Sequence, residues 1–263
     1  MCIAVPDTVE KAAALIKFLN ENRIKKYFLG NGSNVIFNDD GFDGVIIKTS
    51  ALNSVDIDGN TVKSGAGVLM TSLSKKVQEK GLSGLEFCYG IPGNVGGGIF
   101  MNAGAYGGEI SQCLVSVDYL DEKGNLCTVS KDDCDFSYRH SNFMKNDWLI
   151  VSATFSLTEK DPAEMLVFME DIMQRRKDKQ PLDKPSAGSS FKRPAGYFAA
   201  ALIDECGLKG LTVGGAQVSE KHAGFIVNIG GATCRDIVAL ADKVRQIVYD
   251  QRGVVLEKEM IIV

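Results

Sequence analysis

The sequence predicts an α+β protein with two domains, and three observations lead to this prediction. Its 263 residues are 45% apolar and 24% charged, which is ordinary globular composition and enough length for two modest hydrophobic cores. Short strand-like runs punctuated by Gly, Asn and Asp are mixed with helical repeats of apolar residues. The polar stretch 179–185 holds two prolines, and it is the best candidate for the boundary between the domains.

Helices are predicted from end signals and from apolar residues at helical spacing. The segment Asp7-Thr-Val-Glu10 has the pattern of a capping box, so the first helix is expected to have Asp7 as its N-cap. Leu69, Leu73 and Val77 recur four residues apart and indicate a second helix. Three further helices are predicted at 161–177, at 197–206 and from residue 233 onward.

Strands are predicted where β-branched and aromatic residues cluster between turn residues. The segments 114–120, 126–129 and 148–155 are long enough to suggest an antiparallel sheet. No strand is predicted ahead of the first helix. The other predicted strands are 27–29, 35–37, 45–47, 55–57, 224–228 and 254–256.

Composition limits the classes of function. The net charge of −4 and the pI near 5.4 give no global attraction for nucleic acid or for an anionic membrane, so neither is expected as a partner. No apolar run approaches the roughly 20 residues of a membrane span and no signal sequence follows Met1, so a cytoplasmic location is expected. The seven cysteines form no C-x-x-C pair and only two histidines are present, so reduced core thiols and no metal site are expected.

Two glycine-rich segments are candidate ligand loops. The first, Leu29-Gly-Asn-Gly-Ser-Asn34, lies between two predicted strands, and its small residues would let the backbone approach a diphosphate. It is not the G-x-G-x-x-G fingerprint, because Val35 stands where the third glycine would be. The second runs from Tyr89 to Gly98 and resumes at 101–109. Two such loops fit one long dinucleotide better than a single phosphate, although glycine-rich turns without a ligand remain the alternative.

Four motifs together resemble the UDP-N-acetylenolpyruvoylglucosamine reductases (MurB), and the shorter of their two types in particular. The fourth of them, Pro185-Ser-Ala-Gly-Ser-Ser-Phe-Lys-Arg-Pro194, is the most specific, and the resemblance covers nearly the whole chain. Two shorter segments at 222–228 and 256–259 add support. The first three motifs are 29–34, 90–97 with 101–105, and Phe136-Ser-Tyr-Arg-His-Ser141.

The resemblance implies a fold and a domain division. An FAD-binding domain of the vanillyl-alcohol oxidase (PCMH) type, made of two α+β subdomains, is followed by a smaller α+β substrate-binding domain. The flavin domain should cover 1–158, with subdomains of about 1–50 and 51–158, and 159–184 should form a connecting helix and linker. The substrate-binding domain should then be 185–263. Family members usually have a further strand before the first helix, and this strand is expected to be missing here.

The same resemblance implies noncovalent FAD, with NADPH as the reductant. A histidine commonly tethers the flavin in related proteins, and none precedes His140 in this sequence, which agrees with a flavin that is held rather than linked. The residues assigned to the cofactor by motif are Gly30, Asn31, Gly32, Ser33, Asn34, Gly90, Ile91, Pro92, Gly93, Gly96, Gly97, Asn102, Ala103, Gly104 and Ala105.

The implied reaction reduces the enolpyruvyl ether of a UDP-sugar to a lactyl ether. Arg139 is expected to stabilise negative charge on the substrate carboxylate, Ser189 to donate the proton, and Glu259 to help stabilise the enol intermediate. From the residues alone, a solvated surface charge is the favoured interpretation of Arg139 and a turn residue that of Ser189, and the ordinary interpretation of Glu259 is a surface charge at a strand end. Ser190 is the rival proton donor if the motif is displaced by one position.

Four residues are assigned to the substrate or to the NADPH phosphates: Lys179, Ser190, Lys192 and Arg193. Since the two ligands would bind in turn, ping-pong kinetics are expected. Met260 and Ile261 stand where the family often has Val-Arg, so one substrate cation is lost.

Two other functions stay open from the sequence. One is a flavin oxidase of the same fold acting on a small alcohol, and the other is a degenerate flavin- or nucleotide-binding module. Nothing in the sequence determines the oligomeric state, and a monomer is favoured.

Overall fold

The computed structural model describes residues 2–263, which form two compact units. The first unit comprises the chain up to 31 together with 43–173, and the second comprises 32–42 together with 174–263. The short segment 32–42 therefore belongs to the second unit although it lies early in the chain. Its strand pairs with the C-terminal strand of that unit, a long-range contact that no local sequence pattern announces.

Six α-helices are found in the described part of the chain. They are α1 (Val9–Glu21), α2 (Met70–Glu79), α3 (Val95–Phe100), α4 (Pro162–Lys179), α5 (Ala199–Glu205) and α6 (Cys234–Arg252).

The strands are mostly short. They are β1 (Cys2–Ala4), β2 (Lys26–Leu29), β3 (Val35–Ile36), β4 (Val45–Lys48), β5 (Val55–Asp58), β6 (Thr61–Gly65), β7 (Leu82–Ser83), β8 (Gly104–Ala105), β9 (Gly108–Glu109), β10 (Leu114–Leu120), β11 (Leu126–Ser130), β12 (Leu149–Ser156), β13 (Thr158–Glu159), β14 (Ser186–Ser189), β15 (Thr212–Val213), β16 (Ala216–Val218), β17 (Phe225–Asn228) and β18 (Ile261–Ile262).

The first sheet of the first unit is parallel, in the order β1-β4-β2. Helix α1 packs on it through Ala12, Ile16 and Leu19, which are at most 1% exposed. Fully burying an Ile or Leu side chain contributes about 1.5–3 kcal/mol, so Ile16 and Leu19 supply most of the free energy that holds the helix in place. The prediction of Asp7 as the N-cap was wrong by one residue, because the Thr8 hydroxyl accepts the hydrogen bond from the Lys11 N–H.

The second sheet of the first unit is antiparallel, in the order β11-β10-β12-β6-β5. It confirms the antiparallel sheet predicted from the three long strand-like segments, and its strands begin only after residue 54. The hydrophobic core beside it includes Phe143 and Phe155 and receives α2 and α3 through Met70 and Ile99. Together the two sheets confirm the mixed α+β class.

The second unit is a four-stranded antiparallel sheet covered by helices. The sheet order is β14-β17-β16-β15, and α6 buries Leu240, Ala241, Val244 and Val248 in the core of this unit. Helix α6 starts with a complete capping box, in which Thr233 accepts from the Asp236 N–H and the Asp236 carboxylate accepts from the Thr233 N–H. This confirms the helix predicted from residue 233.

Three local predictions differ from the structure. The segment 254–256 forms no strand, because it leads from the left-handed Gly253, at φ 68°, into an irregular stretch. A strand does precede α1, since Cys2–Ala4 pairs in parallel with Val45–Ile47. Four cysteines are buried, whereas Cys2 is exposed and is not a core thiol.

No helix in the described range 2–263 is long and apolar enough to cross a membrane. Within the same residues no group of three or more His, Cys, Asp or Glu side chains is arranged to hold a metal ion.

Candidate active site

The two glycine-rich loops meet within the first unit. The Asn31 side-chain amide donates a hydrogen bond to the Pro92 carbonyl at 2.6 Å, and a Cβ on Gly30 would lie 3.4 Å from Asn94 Oδ1. The start of the first loop therefore lies against the second loop, as a shared dinucleotide site requires. The predicted cofactor residues from 32 to 34 fall in the second unit.

The glycines of the second loop are needed for different reasons. A Cβ on Gly96 would come within 2.9 Å of Ala66 Cβ, and a Cβ on Gly104 would come within 2.8 Å of the Gly108 carbonyl oxygen. Both glycines are thus explained by close packing inside the protein. Gly97 is different, since it is exposed and a Cβ there would meet nothing within 4 Å. Only Gly97 of these three leaves an open surface for a ligand.

Asn94 was not predicted as a site residue, yet it carries an unsatisfied buried acceptor. Its side chain is 3% exposed and its amide donates to the Gly67 carbonyl, while no described group donates to Oδ1. Leaving a buried acceptor unpaired costs about 1–3 kcal/mol, so a ligand hydroxyl or N–H beside Gly30 would satisfy a real deficit. The sequence feature that could have identified Asn94 is its place as a polar residue within a glycine motif at the start of a helix.

Arg139 lies in a tight turn of the first unit. Ser137 and His140 close the turn by exchanging two backbone hydrogen bonds, of 3.2 and 3.1 Å. Arg139 takes φ 53°, a left-handed conformation that is rare for a residue with a side chain and that is concentrated at functional sites. One guanidinium nitrogen donates to the Gly104 carbonyl at 3.0 Å. The predicted substrate arginine is therefore fixed against the predicted cofactor loop.

The second unit separates the two candidate proton donors. Ser189 ends β14 opposite Phe225 and is exposed, and its hydroxyl makes no hydrogen bond to any described residue. Ser190 is 2% exposed, and its hydroxyl accepts a hydrogen bond from the Ile226 N–H at 2.9 Å. The two neighbouring serines therefore differ in exposure: Ser189 faces solvent, and Ser190, just past the end of β14, lies in the core. The Ser190 hydroxyl is thus buried and already hydrogen-bonded within the protein.

Glu259 lies on the backbone segment next to these serines. Its N–H donates to the Ser190 carbonyl at 2.9 Å, and its carbonyl accepts from the Asn34 side-chain amide at 3.1 Å. A Cβ on Gly188, which has φ 71°, would lie 3.7 Å from the Ser33 carbonyl oxygen. The second unit therefore brings two of the three predicted catalytic residues together with the end of the first glycine loop.

The predicted phosphate-binding cations occupy separate positions in the second unit. Lys179 is exposed at the last residue of α4, and Lys192 lies 3.4 Å from the Glu257 carboxylate. The Arg193 guanidinium stacks over the Phe198 ring at 4.6 Å from its centroid. An exposed ion pair such as Lys192–Glu257 contributes only about 0–1 kcal/mol, so an anionic ligand can compete for the lysine.

His222 is half-buried just before β17 and has a lowered pKa. Burial is the main cause, and the positive charges of Lys209 and Lys179 add to it. Nδ1 accepts a hydrogen bond from the Gly224 N–H at 3.2 Å, and the ring packs edge-on against Phe225. The native protein therefore keeps this imidazole neutral at a pH at which the unfolded chain protonates it.

Lowering the pH should destabilise the protein through His222. The unfolded histidine binds a proton as the pH falls through its ordinary pKa of about 6.5, while the native histidine does not, so the free energy of unfolding decreases there. The decrease ends below the lowered native pKa, where both states are protonated. The variant His222→Asn keeps an acceptor for the Gly224 N–H and cannot titrate. Urea unfolding at a series of pH values gives the free energy of unfolding of each protein, and the difference between variant and wild type should change just below pH ~6.5. If the two free energies instead changed with pH in parallel, this role for His222 would be contradicted.

Comparison with known proteins identifies the family. Residues 180–263 match the family model described as UDP-N-acetylenolpyruvoylglucosamine reductase, C-terminal domain, and residues 1–130 match an FAD binding domain. A UDP-N-acetylenolpyruvoylglucosamine reductase of Clostridium novyi is 46% identical over 258 residues, which cover 98% of this chain and 84% of the relative. The chain belongs to the UDP-N-acetylenolpyruvoylglucosamine reductase family.

Other members of this reductase family are similar to the chain over nearly its whole length. The reductase of Caldanaerobacter subterraneus is 42% identical over 99% of this chain and 86% of its own length. The crystal structure of the reductase from Thermus caldophilus superposes with a TM-score of 0.85, at 33% identity, over 99% of this chain and 91% of that one. The expected reductase-type fold is thereby confirmed.

The residues of the first unit fit the FAD that the family model implies. Asn94 Oδ1 needs a donor beside Gly30, and FAD carries hydroxyl groups along its ribityl chain and its ribose. The open backbone at Gly97 offers a close approach. These two features, rather than the number of glycines, are what a flavin dinucleotide would use.

Proposed function

We propose that the chain is an FAD- and NADPH-dependent reductase that converts the enolpyruvyl group of UDP-N-acetylglucosamine-enolpyruvate to a lactyl ether, giving UDP-N-acetylmuramate for peptidoglycan synthesis. The observation that carries the proposal is 46% identity, over 98% of the chain, to a relative named for this activity. FAD, when bound, supplies hydride transfer from NADPH to the vinyl carbon. The roles proposed for individual residues follow from two needs that hydride addition creates: stabilising negative charge on the substrate and adding a proton to its central carbon.

Arg139 is proposed to stabilise the negative charge that develops on the substrate. Hydride addition at the vinyl carbon leaves charge delocalised from the neighbouring carbon into the carboxylate. A planar guanidinium can bind both carboxylate oxygens, and a donor held in place before the reaction lowers the barrier most. The bond from Arg139 to the Gly104 carbonyl supports this role, because it fixes the side chain in advance.

Ser189 is proposed to donate the proton to the central carbon of the substrate. Its hydroxyl is exposed and has no acceptor among the described residues, whereas the Ser190 hydroxyl is buried against Ile226. A serine is a weak acid, but an enolate is a strong enough base to take its proton when the two are held in position. Glu259, on the adjacent segment, is proposed to stabilise the enol form through its carboxyl group.

Lys179, Lys192 and Arg193 are proposed to bind the phosphates of the UDP-sugar or of NADPH. All three are at least partly exposed in the second unit, and an ammonium or guanidinium forms charge-assisted hydrogen bonds with phosphate. Ser190 was predicted to join them, and its burial argues against this. A cytoplasmic enzyme is expected, since the substrate is a charged nucleotide sugar, and a monomer stays a separate prediction.

Gly97 provides a test of the cofactor loop. Gly97→Ala puts a methyl group into open space on α3, so the apo fold should gain about 0.5–1 kcal/mol from the better helix former. If FAD lies against this backbone, the same methyl should raise the Kd for FAD at least ~10-fold. Titration of apoprotein with FAD measures the second effect and urea unfolding the first. The matched variant Gly96→Ala should instead lose stability against Ala66. A Gly97→Ala protein that binds FAD normally would place the cofactor elsewhere.

NADPH oxidation tests the function as a whole. The flavin-loaded protein should oxidise NADPH rapidly only when UDP-N-acetylglucosamine-enolpyruvate is present, with the parallel double-reciprocal lines of a ping-pong mechanism. A small alcohol that reduces the flavin would favour an oxidase of the same fold. Failure to bind FAD at all would favour a degenerate module. No substrate-dependent rate in a flavin-loaded sample would overturn the assignment.

A further inference from the structure

We infer that Asn102 is a positioning residue that holds the Arg139 turn, and not a cofactor ligand as its motif implies. The inference rests on the proposed function for the role of Arg139, but its structural part concerns only contacts within the first unit. Asn102 follows α3, 1% exposed, inside the loop assigned to FAD by resemblance.

The hydrogen-bonding groups of the Asn102 side chain are used inside the protein. The amide nitrogen donates to the Ser137 carbonyl at 3.1 Å and to a Glu109 carboxylate oxygen at 3.3 Å. The amide oxygen accepts from the Ser111 N–H at 3.1 Å. Both amide hydrogens and one oxygen lone pair are therefore engaged, which leaves at most one acceptor position for a ligand.

The bond to Ser137 acts on the turn itself. Ser137 is the first residue of the backbone-paired turn that contains Tyr138 and Arg139, so fixing its carbonyl fixes the entry to the turn. Arg139 at φ 53° and Asn102 at φ 41° are both left-handed. Such conformations cost free energy and persist only where surrounding contacts enforce them. Asn102 supplies one of those contacts.

Two further contacts join the same two segments. The Ser141 hydroxyl, which is fully buried, donates to the Phe100 carbonyl at 2.7 Å on the other side of the turn. The Arg139 guanidinium donates to the Gly104 carbonyl. The end of α3, with the loop that follows it, is thus joined to the 137–141 segment by three hydrogen bonds, which connect the predicted cofactor loop to the predicted substrate arginine. In this set of contacts Asn102 is the side chain that reaches from the loop to the turn.

The test compares Asn102→Gly with a control variant that loses a different buried side-chain amide. Glycine adopts positive φ without strain, so the variant removes the side-chain hydrogen bonds and leaves the left-handed backbone conformation accessible. Gln78→Ala is the control, because Gln78 is 6% exposed in the same unit and its amide donates to the Pro162 carbonyl at 2.8 Å, away from the turn. Each variant is reconstituted with FAD, and flavin reduction by NADPH and reoxidation by the enolpyruvyl substrate are followed separately by stopped flow.

A positioning role predicts a selective defect. For Asn102→Gly, the Kd for FAD and the rate of flavin reduction should stay within about 3-fold of wild type, while reoxidation by substrate slows at least ~10-fold. The double variant Asn102→Gly/Arg139→Ala should be reoxidised less than about 2-fold more slowly than the single variant Arg139→Ala, because both changes remove the same function. Gln78→Ala should affect neither half-reaction. A Kd for FAD raised at least ~10-fold with normal reoxidation would make Asn102 a cofactor ligand and overturn the inference.

Hydrogen exchange tests the structural part without any turnover. In the apoprotein, the backbone amides of Ser137 and His140, which close the turn, should exchange faster in Asn102→Gly than in wild type or Gln78→Ala. Unchanged exchange would overturn the inference. If Asn102→Gly does not fold, Ser141→Ala removes a different contact to the same turn and should give the same pattern. Wild-type reduced flavin that the substrate fails to reoxidise would contradict the proposed function alone, and hydrogen exchange would still decide the role of Asn102.

Discussion

Ser189→Ala is expected to slow reduction of the enolpyruvyl substrate by at least about 100-fold, the usual scale for a positioned general acid. Flavin reduction by NADPH should stay nearly unchanged, because that half-reaction needs no proton on the substrate carbon. The structure favours this serine since its hydroxyl is exposed and uncommitted at the end of β14. Stopped-flow measurement of the two half-reactions separates the effects.

Ser190→Ala is the matched control for Ser189. It leaves the Ile226 N–H without its buried acceptor, so the protein should lose about 1–3 kcal/mol of stability. Its reoxidation rate at a temperature well below unfolding should remain near wild type. The opposite pattern, with normal turnover in Ser189→Ala and a large loss in Ser190→Ala, would show that the motif is displaced by one position.

Arg139→Ala is expected to lower the rate of substrate reduction by about 100- to 1,000-fold, the loss found when one preorganised charge-stabilising donor is removed. The guanidinium is fixed on the Gly104 carbonyl and lies in a left-handed turn, so its position does not have to be organised during the reaction. Arg139→Lys should recover only part of the rate, because an ammonium cannot bind two carboxylate oxygens in one plane.

The control for Arg139 is Arg235→Ala. Arg235 is a surface arginine of the second unit with a side chain that is 80% exposed, and its removal should leave both half-reactions unchanged. A normal reoxidation rate in flavin-loaded Arg139→Ala would remove Arg139 from the proposed chemistry. An equal loss in flavin reduction would point to a cofactor-binding defect instead.

Local signals predicted the elements whose ends are set by their own residues. Thr233 starts α6 through a capping box, and Pro162 opens α4 at the position where its missing N–H costs nothing. The choice between Asp7 and Thr8 failed because both are good N-caps and tertiary packing sets the helix start. The strand expected at 254–256 failed because its apolar residues serve the core without pairing: Leu256 is fully buried there.

Long-range contacts were beyond the sequence for a physical reason. The pairing of β3 with β18 joins residues more than two hundred positions apart, and nothing near Val35 identifies its partner. The motifs that form the candidate site could be predicted from the sequence. The exposure and hydrogen bonds of each side chain within those motifs could not. Ser189 and Ser190 are neighbours in one motif, and only the structure shows that the first is exposed and the second buried. In the same way, the sequence does not show that Asn102 makes three hydrogen bonds within the protein.

Anaerobic reoxidation tests the central claim most directly. The protein, loaded with FAD and reduced by one equivalent of NADPH, is mixed with one equivalent of UDP-N-acetylglucosamine-enolpyruvate, and the flavin absorbance and the product mass are measured. The proposed function predicts full return of the oxidised flavin spectrum and a UDP-sugar heavier than the substrate by two hydrogens. A flavin that stays reduced, with the enolpyruvyl sugar recovered unchanged, would contradict it.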